Sequence, residues 1–369
     1  MKIQTESATK TANIIIDFFS NIDRIDDYFR LRKIERVKNL PAPIPGFGLE
    51  DDMFQNYDMH PEDMDIEVAQ IDNQTFNAML EKVASFSPDQ APGKELKLVV
   101  KEKNTNTLLG FIKLGSPIIN SKPRNNYLGD VPELTIFNQR AIMGFVIVPV
   151  QPFGFNYLGG KLMALICTSH KVREMLNDKY DTEFCLFETT SLYGNIKGMS
   201  MYDGLKPFLR FKGDTESKFV PTLGEEAYAS CKKIIEDDVQ GEIIHKDASS
   251  RKLKITTKMI SLIKSSLKET DMELHDKFVS AIKKAESVTT QKRFYMSDYG
   301  YENTRDVLLG KTEILIKGPN YHKHDLENII SWWKRKASSR YNKLKSEDRI
   351  REELEVWNAD TMNKIDIIR

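Results

Sequence analysis

The chain has 369 residues, 40% hydrophobic and 29% charged, with 54 Lys+Arg against 54 Asp+Glu. That length suffices for one large domain or two to three smaller ones. The longest apolar runs are about ten residues, well short of the roughly 20 that span a bilayer, so no membrane segment is expected. The start, "MKIQTESATK", has no apolar core and does not read as a secretory signal. Cys167, Cys185 and Cys231 are scattered, two of them in apolar runs, which predicts buried thiols in a reducing cytoplasm.

Neutrality hides an uneven spread of charge. Residues 241–369 carry 26 Lys+Arg and 20 Asp+Glu, leaving 28 and 34 for residues 1–240: net +6 against net −6. The C-terminal part either meets a polyanion or docks on the acidic part.

In chain order, "TANIIIDFFSNIDRIDDYFRLRKIERVKNL" has apolar residues at three- and four-residue spacing and predicts one or two amphipathic helices. Three prolines and two glycines in Pro41–Asp52 predict a linker, and the acidic, Met-rich stretch to Gln74 carries no clear pattern. "FNAMLEKVASF" predicts a helix, and "ELKLVVKEK" and "LLGFIKLGSP" flank "NTNT" as a β-hairpin. "AIMGFVIVPV" is a buried strand, Leu158–Leu176 a helix, "EFCLFETTS" a second strand, and "PFLRFKG" a third after a short helix. Strand–helix–strand with a long apolar first strand implies a parallel crossover beside an antiparallel hairpin. Beyond Lys212 the pattern turns helical and basic, with a strand-like "KTEILIKG" and a long helix from about Asp325 to Trp357. The expectation is an α+β fold, a mixed sheet with flanking helices and a mostly helical basic C-terminal region, in three parts: 1–75, 76–220 and 221–369.

The pair Gly159–Gly160 opens a helix directly behind a buried strand. Bare N–H groups and the positive helix end there suit a phosphate; on spacing alone the pair is a weak signal, and close packing of helix on strand also explains it. Downstream, Asn195 follows the second strand and Tyr202 lies seven residues on, before another turn and strand. This order resembles the GCN5-related N-acetyltransferase (GNAT) fold, whose splayed strand, glycine-containing loop and "N…Y…GF" segment bind acyl-coenzyme A. The resemblance implies that Val148, Asn156, Gly159 and Gly160 line an acyl-donor site, that Asn195 contacts the pantetheine arm, and that Tyr202 protonates the leaving thiolate. Three positions depart from the pattern: Asn156 replaces the basic or Gln residue that opens the loop, Lys161 replaces a small residue, and "GLKPF" stands in place of "GF".

A narrower similarity covers Leu108–Asp214: "LLGFIKLGSP", "ELTIFNQRAIMGFVIVPV", "YLGGKLMALI" and "MYDGLKPFLRFKGDT". These segments resemble the family that includes the first protein of the Druantia anti-phage system, whose members are similar in fold to the phage Mu Mom DNA-modifying acyltransferase. It implies a nucleic-acid context, and the cytoplasm of a host cell if the chain is phage-encoded.

Other candidates follow from the residues themselves. Glu188 ends a central strand with Thr189, Thr190 and Ser191, where open sheets place ligands, and is a candidate base; Tyr193 and Asp203 lie nearby. Asn138, Gln139 and Arg140 precede the splayed strand, where Arg140 clamps a phosphate or forms a surface ion pair. "YHKHD" places His322 and His324 beside a helix start, with no cysteines near and no zinc spacing, so no metal is expected. Lys334, Arg335, Lys336, Arg340 and Lys343 share a helix with Trp332, Trp333 and Tyr341. Either cations and an exposed aromatic hold DNA or RNA, or the aromatics pack on the core and the lysines solvate the far face. The leading expectation is a GNAT-like acyltransferase modifying nucleic acid; the alternative is a non-catalytic nucleic-acid- or protein-binding scaffold of phage–host conflict.

Overall fold

The computed structural model describes residues 2–38, 50–86, 93–192, 194, 198–218, 222–244, 251–288 and 291–366. The chain forms two compact units. One contains residues 1–39, 218–290 and 366–369, the other residues 40–217 and 291–365.

The first unit is helical: Thr5–Ser20, Ile25–Lys38, Glu225–Val239, Arg251–Thr270 and Met272–Ser287. Thr5–Ser20 is central to it, burying Ala8, Ala12, Ile15 and Phe19 at the three- and four-residue spacing of an amphipathic helix. Cys231 and Ile235 of Glu225–Val239 are buried, as are Phe278, Ile282 and Ala285 of Met272–Ser287. Asp271 caps that last helix by accepting the Leu274 N–H.

The second unit is built on a seven-stranded mixed sheet. Its strands are β1 (Ile66–Gln70), β2 (Glu95–Glu102), β3 (Thr107–Gly115), β4 (Ala141–Pro149), β5 (Leu186–Ser191), β6 (Arg210–Lys218) and β7 (Gln291–Ser297). The order is β1-β2-β3-β4-β5-β7-β6. β1 to β4 run antiparallel in sequence, β4 and β5 are parallel, and β5 pairs antiparallel with β7. The expected hairpin is β2–β3, with Asn106 supplying the left-handed turn residue at φ 55°.

The crossover between β4 and β5 contains a helix break. Gly159–Cys167 and His170–Tyr180 are separate helices, because the Thr168 and Ser169 hydroxyls bond back to Leu165 and Ile166 carbonyls. Ser169 Oγ then accepts the Val172 N–H and caps the second helix.

Two segments differ from the sequence expectation. "KTEILIKG" forms no strand: only Tyr301 and Lys317 make a bridge, and Ile314 and Ile316 stand exposed. The last long helix is Leu326–Ser346, stopping short of Trp357. Asp348 turns left-handed at φ 51° after its end, and Glu355 then bridges to Gln151 beside the end of β4.

Candidate functional site

β4 and β5 pair over only four residues, from Ala141 with Leu186 to Gly144 with Thr189. β4 then continues to Pro149 beside β3, while Thr190 and Ser191 of β5 continue beside β7. The two parallel strands therefore part after Gly144 and Thr189. Thr189 Oγ1 donates to Gly144 O across the last rung, at 3.0 Å. Tyr202 reaches this point from the turn after β5; its phenol comes near Thr189, and its ring meets Tyr295 edge-on at 5.3 Å. Burial pushes the Tyr202 phenol well above its usual pKa, so it holds its proton at neutral pH.

Around Tyr202 the turn is tied down by Asp203. Its carboxylate accepts from Ser200 N, Arg293 Nη1 and Tyr295 Oη, at 2.8–2.9 Å. Burial opposes its charge, but these donors outweigh burial and hold its pKa below the usual value. The Lys161 ammonium donates to Asp203 O at 2.6 Å. Burial lowers the Lys161 pKa, Asp203 pulls it back, and nearby Lys336 adds to the lowering.

The glycine pair sits at the start of helix Gly159–Cys167, behind Leu158 at φ 56°. The Lys161 and Leu162 N–H groups donate to Leu158 O, which leaves those of Gly159 and Gly160 for other acceptors. The chain's own side chains close on both glycines. A Cβ on Gly159 would lie 2.6 Å from the Phe153 ring, and one on Gly160 would lie 2.9 Å from Met201 Sδ. Asn156 is fully buried and reciprocally bonded to the Arg351 backbone, its amide donating to Arg351 O and its oxygen accepting Arg351 N–H. Val148 is half-buried against the cluster of Phe76, Phe111 and Val146. Asn195 and Tyr193 lie outside the described residues.

Glu188 is placed apart from Tyr202. Successive strand residues face opposite sides, so Glu188 points away from the Thr189 face that holds Tyr202. Its carboxylate is fully buried and bonded at 3.1 and 3.3 Å by Nη1 of Arg124, itself fully buried. Arg124 also donates to Ile118 O and Ile119 O and lies 4.0 Å over the Phe137 ring. Burial raises the Glu188 pKa to about 7, against the opposing pull of Arg124. Arg140 forms an ion pair with Glu183 and donates to its carbonyl.

The cations of Leu326–Ser346 divide between faces. Trp333, Ala337, Tyr341 and Leu344 are its buried side, and Trp333 Nε1 donates to Tyr157 O. Lys334 donates to Glu62 O, Arg335 is exposed, and Lys336 lies 5.9 Å over half-buried Trp332. Arg340 donates to Phe155 O and stacks on that ring, and exposed Lys343 faces Glu347 at 3.9 Å. Arg351 covers Phe155 as well, at 3.8 Å, and Arg349 stands close enough to depress the Arg340 pKa. Arg349 and Arg351 escape a sequence reading because they lie beyond the helix; the only signal was their proximity in sequence to its cationic end.

His170, His324 and the cysteines serve the core. His324 Nδ1 meets Thr168 O and His170 Nε2 meets Tyr321 O, while burial lowers His170 to about 4. All three cysteines are buried and unpaired, and burial pushes Cys185 and Cys231 up to about 12. Among the described residues no group of three His, Cys, Asp or Glu is arranged to hold a metal, and no helix is long and apolar enough to cross a membrane.

Residues 47–200 match the family model described as Druantia protein DruA, a stretch that runs from before β1 to the turn preceding Tyr202. No curated protein and no solved structure matches the chain.

Proposed function

We propose that this chain is a nucleic-acid-binding protein of an anti-phage defence context, using a GNAT-like sheet as a scaffold rather than as an acyltransferase. The defence context rests on the Druantia DruA match over residues 47–200. One observation carries the choice against catalysis: Tyr202 and Glu188 lie on opposite faces of the sheet, with Glu188 fully enclosed on Arg124. Among the described residues no acid–base pair converges there, and general acid–base work requires both groups within reach of one reacting centre. Met201 over Gly160, and Lys161 on Asp203 O, support the same reading. Exposed Arg335, Lys336, Lys343, Arg349 and Arg351 offer phosphate contacts, and Lys336 lies over the half-buried Trp332.

A second reading has its own support. The parting of β4 from β5, with a protonated phenol at the fork, is the arrangement in which a GNAT-like enzyme would seat an acyl donor such as acyl-coenzyme A. Calorimetry with coenzyme A and acetyl-coenzyme A, beside an oligonucleotide titration at several salt concentrations, separates the two. The scaffold reading expects no coenzyme A heat and salt-dependent oligonucleotide binding. Coenzyme A binding, with acyl transfer to DNA or RNA that is lost in Tyr202→Phe, would establish the enzyme instead.

A further inference from the structure

A separate cationic cluster lies where the end of helix Lys122–Leu128, the start of β6, the residue after β7 and the start of helix Thr304–Leu308 come together. Lys212 is half-buried with its ammonium 3.6 Å over the Tyr127 ring, and it takes part in no hydrogen bond or ion pair among the described residues. The Arg305 guanidinium lies 5.9 Å from the centre of the same ring. It is held there by two bonds to Leu128 O, the carbonyl that ends the short helix. Arg210, two residues before Lys212 on the same face of β6, completes the half-buried set, and exposed Lys206 is near enough to act on Lys212.

Asp298 is the carboxylate that acts on Lys212, and both of its oxygens are engaged. Oδ2 pairs with Arg210 at 3.0 Å, and Oδ1 accepts the Gly300 N–H in the left-handed turn of Tyr299 and Gly300. Burial lowers the Lys212 pKa first, and Arg210, Arg305 and Lys206 lower it further against the pull of Asp298. Four like charges gathered at one partly dry place raise the free energy of the folded chain unless an anion offsets them. A flexible surface would disperse them. Here the Tyr127 ring and the Leu128 carbonyl fix two of the four in place.

We propose that Lys206, Arg210, Lys212 and Arg305 form a phosphate-binding site, with Lys212 at its centre. The ligand chemistry is an anionic phosphoryl group, either a backbone phosphate of a nucleic-acid strand or a small phosphate such as a free nucleotide or pyrophosphate. The site itself does not depend on the function proposed above; only the strand source does.

Lys212→Met keeps the stem that covers Tyr127 and removes the charge. Pyrophosphate titrated calorimetrically into the full chain, at ionic strength matched with chloride, should bind wild type and bind Lys212→Met about tenfold more weakly or worse, as loss of a charge-assisted contact implies. Lys206→Met, at an exposed position, should weaken binding less. Without phosphate, Lys212→Met should melt at or above the wild-type temperature, because a like charge has been relieved. A labelled oligonucleotide distinguishes the sources. Weaker strand binding by Lys212→Met assigns the site to the nucleic-acid backbone, and equal strand binding with weaker pyrophosphate assigns it to a small phosphate ester. Should no oligonucleotide bind at all while pyrophosphate still discriminates the variant, the nucleic-acid reading falls and the phosphate site stands. The site is disproved if pyrophosphate binds both proteins equally or neither, or if Lys212→Met lowers the melting temperature with pyrophosphate binding unchanged, which makes Lys212 a packing group for Tyr127.

Discussion

Glu188 and Arg124 form an ion pair in which both side chains are fully buried, and the two partners have different ways out of a broken pair. Removing one partner of such a pair costs about 3–5 kcal/mol, because the remaining charge is stranded. Glu188→Gln strands a guanidinium that cannot lose its proton, although it keeps the Ile118 and Ile119 carbonyls and the Phe137 ring. Below about pH 5 the wild-type carboxyl is itself protonated, so the neutral amide should cost little there. Arg124→Met strands a carboxyl that can escape by binding a proton, so its cost must depend on pH.

The wild-type carboxyl titrates at about 7 when folded, against an ordinary value of 4.5 when unfolded. A folded pKa above the unfolded one contributes stability that is complete below the unfolded value and lost as pH rises through the folded value. Wild type therefore loses about 1.4 kcal/mol per pH unit from this group between roughly pH 5 and 7, and then levels off. Glu188→Gln has no such group, so it should gain on wild type over that interval and then hold level. Arg124→Met removes the guanidinium that holds the pKa down, so its decline should continue above pH 7 at about the same slope. The double variant Arg124→Met with Glu188→Leu should recover most of the loss. Urea unfolding of the four proteins at pH 5, 7 and 9, followed by tryptophan fluorescence, reads all of this. An Arg124→Met cost below about 1 kcal/mol, with no divergence from wild type above pH 7, would show a pair that is wet and structurally minor.

Two further outcomes test the site. Replacing Lys334, Arg335 and Lys336 together by alanine should flatten the log–log salt dependence of oligonucleotide binding by roughly 1.5 units, since Lys334 is committed to Glu62 O and only two of the three face a strand. Melting should barely move, and a slope equal to wild type would show a merely solvated surface. Gly159→Ala should cost about 1–3 kcal/mol, because its methyl meets the Phe153 ring, whereas Gly160→Ala should cost less than 1 because Met201 is the end of a flexible chain. Equal costs in chemical denaturation would mean that Met201 is as fixed as Phe153.

The crossover was legible because β4 and helix Gly159–Cys167 are long and apolar, and their period decides their type. β7 was not, although Phe294 and Met296 alternate with Arg293, Tyr295 and Ser297. Its partner in the ladder, β5, lies about a hundred residues earlier, and the intervening chain after β6 is helical. "KTEILIKG" makes the complementary point. It has the β-branched residues of a strand and no neighbour to pair with beyond one bridge, so propensity without pairing left it as loop. Glu188 looked like a site residue because strand ends often carry ligand groups. Its meaning depended on Arg124, a partner 64 residues away that no local pattern reveals. Asn156 is similar: a polar residue at the expected place, whose hydrogen bonds go to the Arg351 backbone 195 residues on.

The charge asymmetry of the sequence also changes meaning once the chain is folded. Residues 241–290 join the N-terminal helices, and residues 291–365 return to the sheet. By unit, the helical body then carries 22 Lys+Arg and 19 Asp+Glu, and the sheet body 32 and 35. The net +6 and −6 of the two chain parts thus become +3 and −3, with the sheet body the negative one. A net-negative body does not attract a polyanion by its overall field. Binding by the sheet unit must come from local arrangements, where fixed geometry sets cations without matching carboxylates. Lys212 over Tyr127 is such a place, and so is Phe155 between Arg340 and Arg351, with Glu347 and Glu355 close enough to temper the second. Surface ion pairs of that kind are weak enough for a phosphate to displace. Among the described residues Lys212 itself makes no ion pair, and its carboxylate neighbour Asp298 is taken up by Arg210 and the Gly300 N–H, which makes the first cluster the better place to look for an anion.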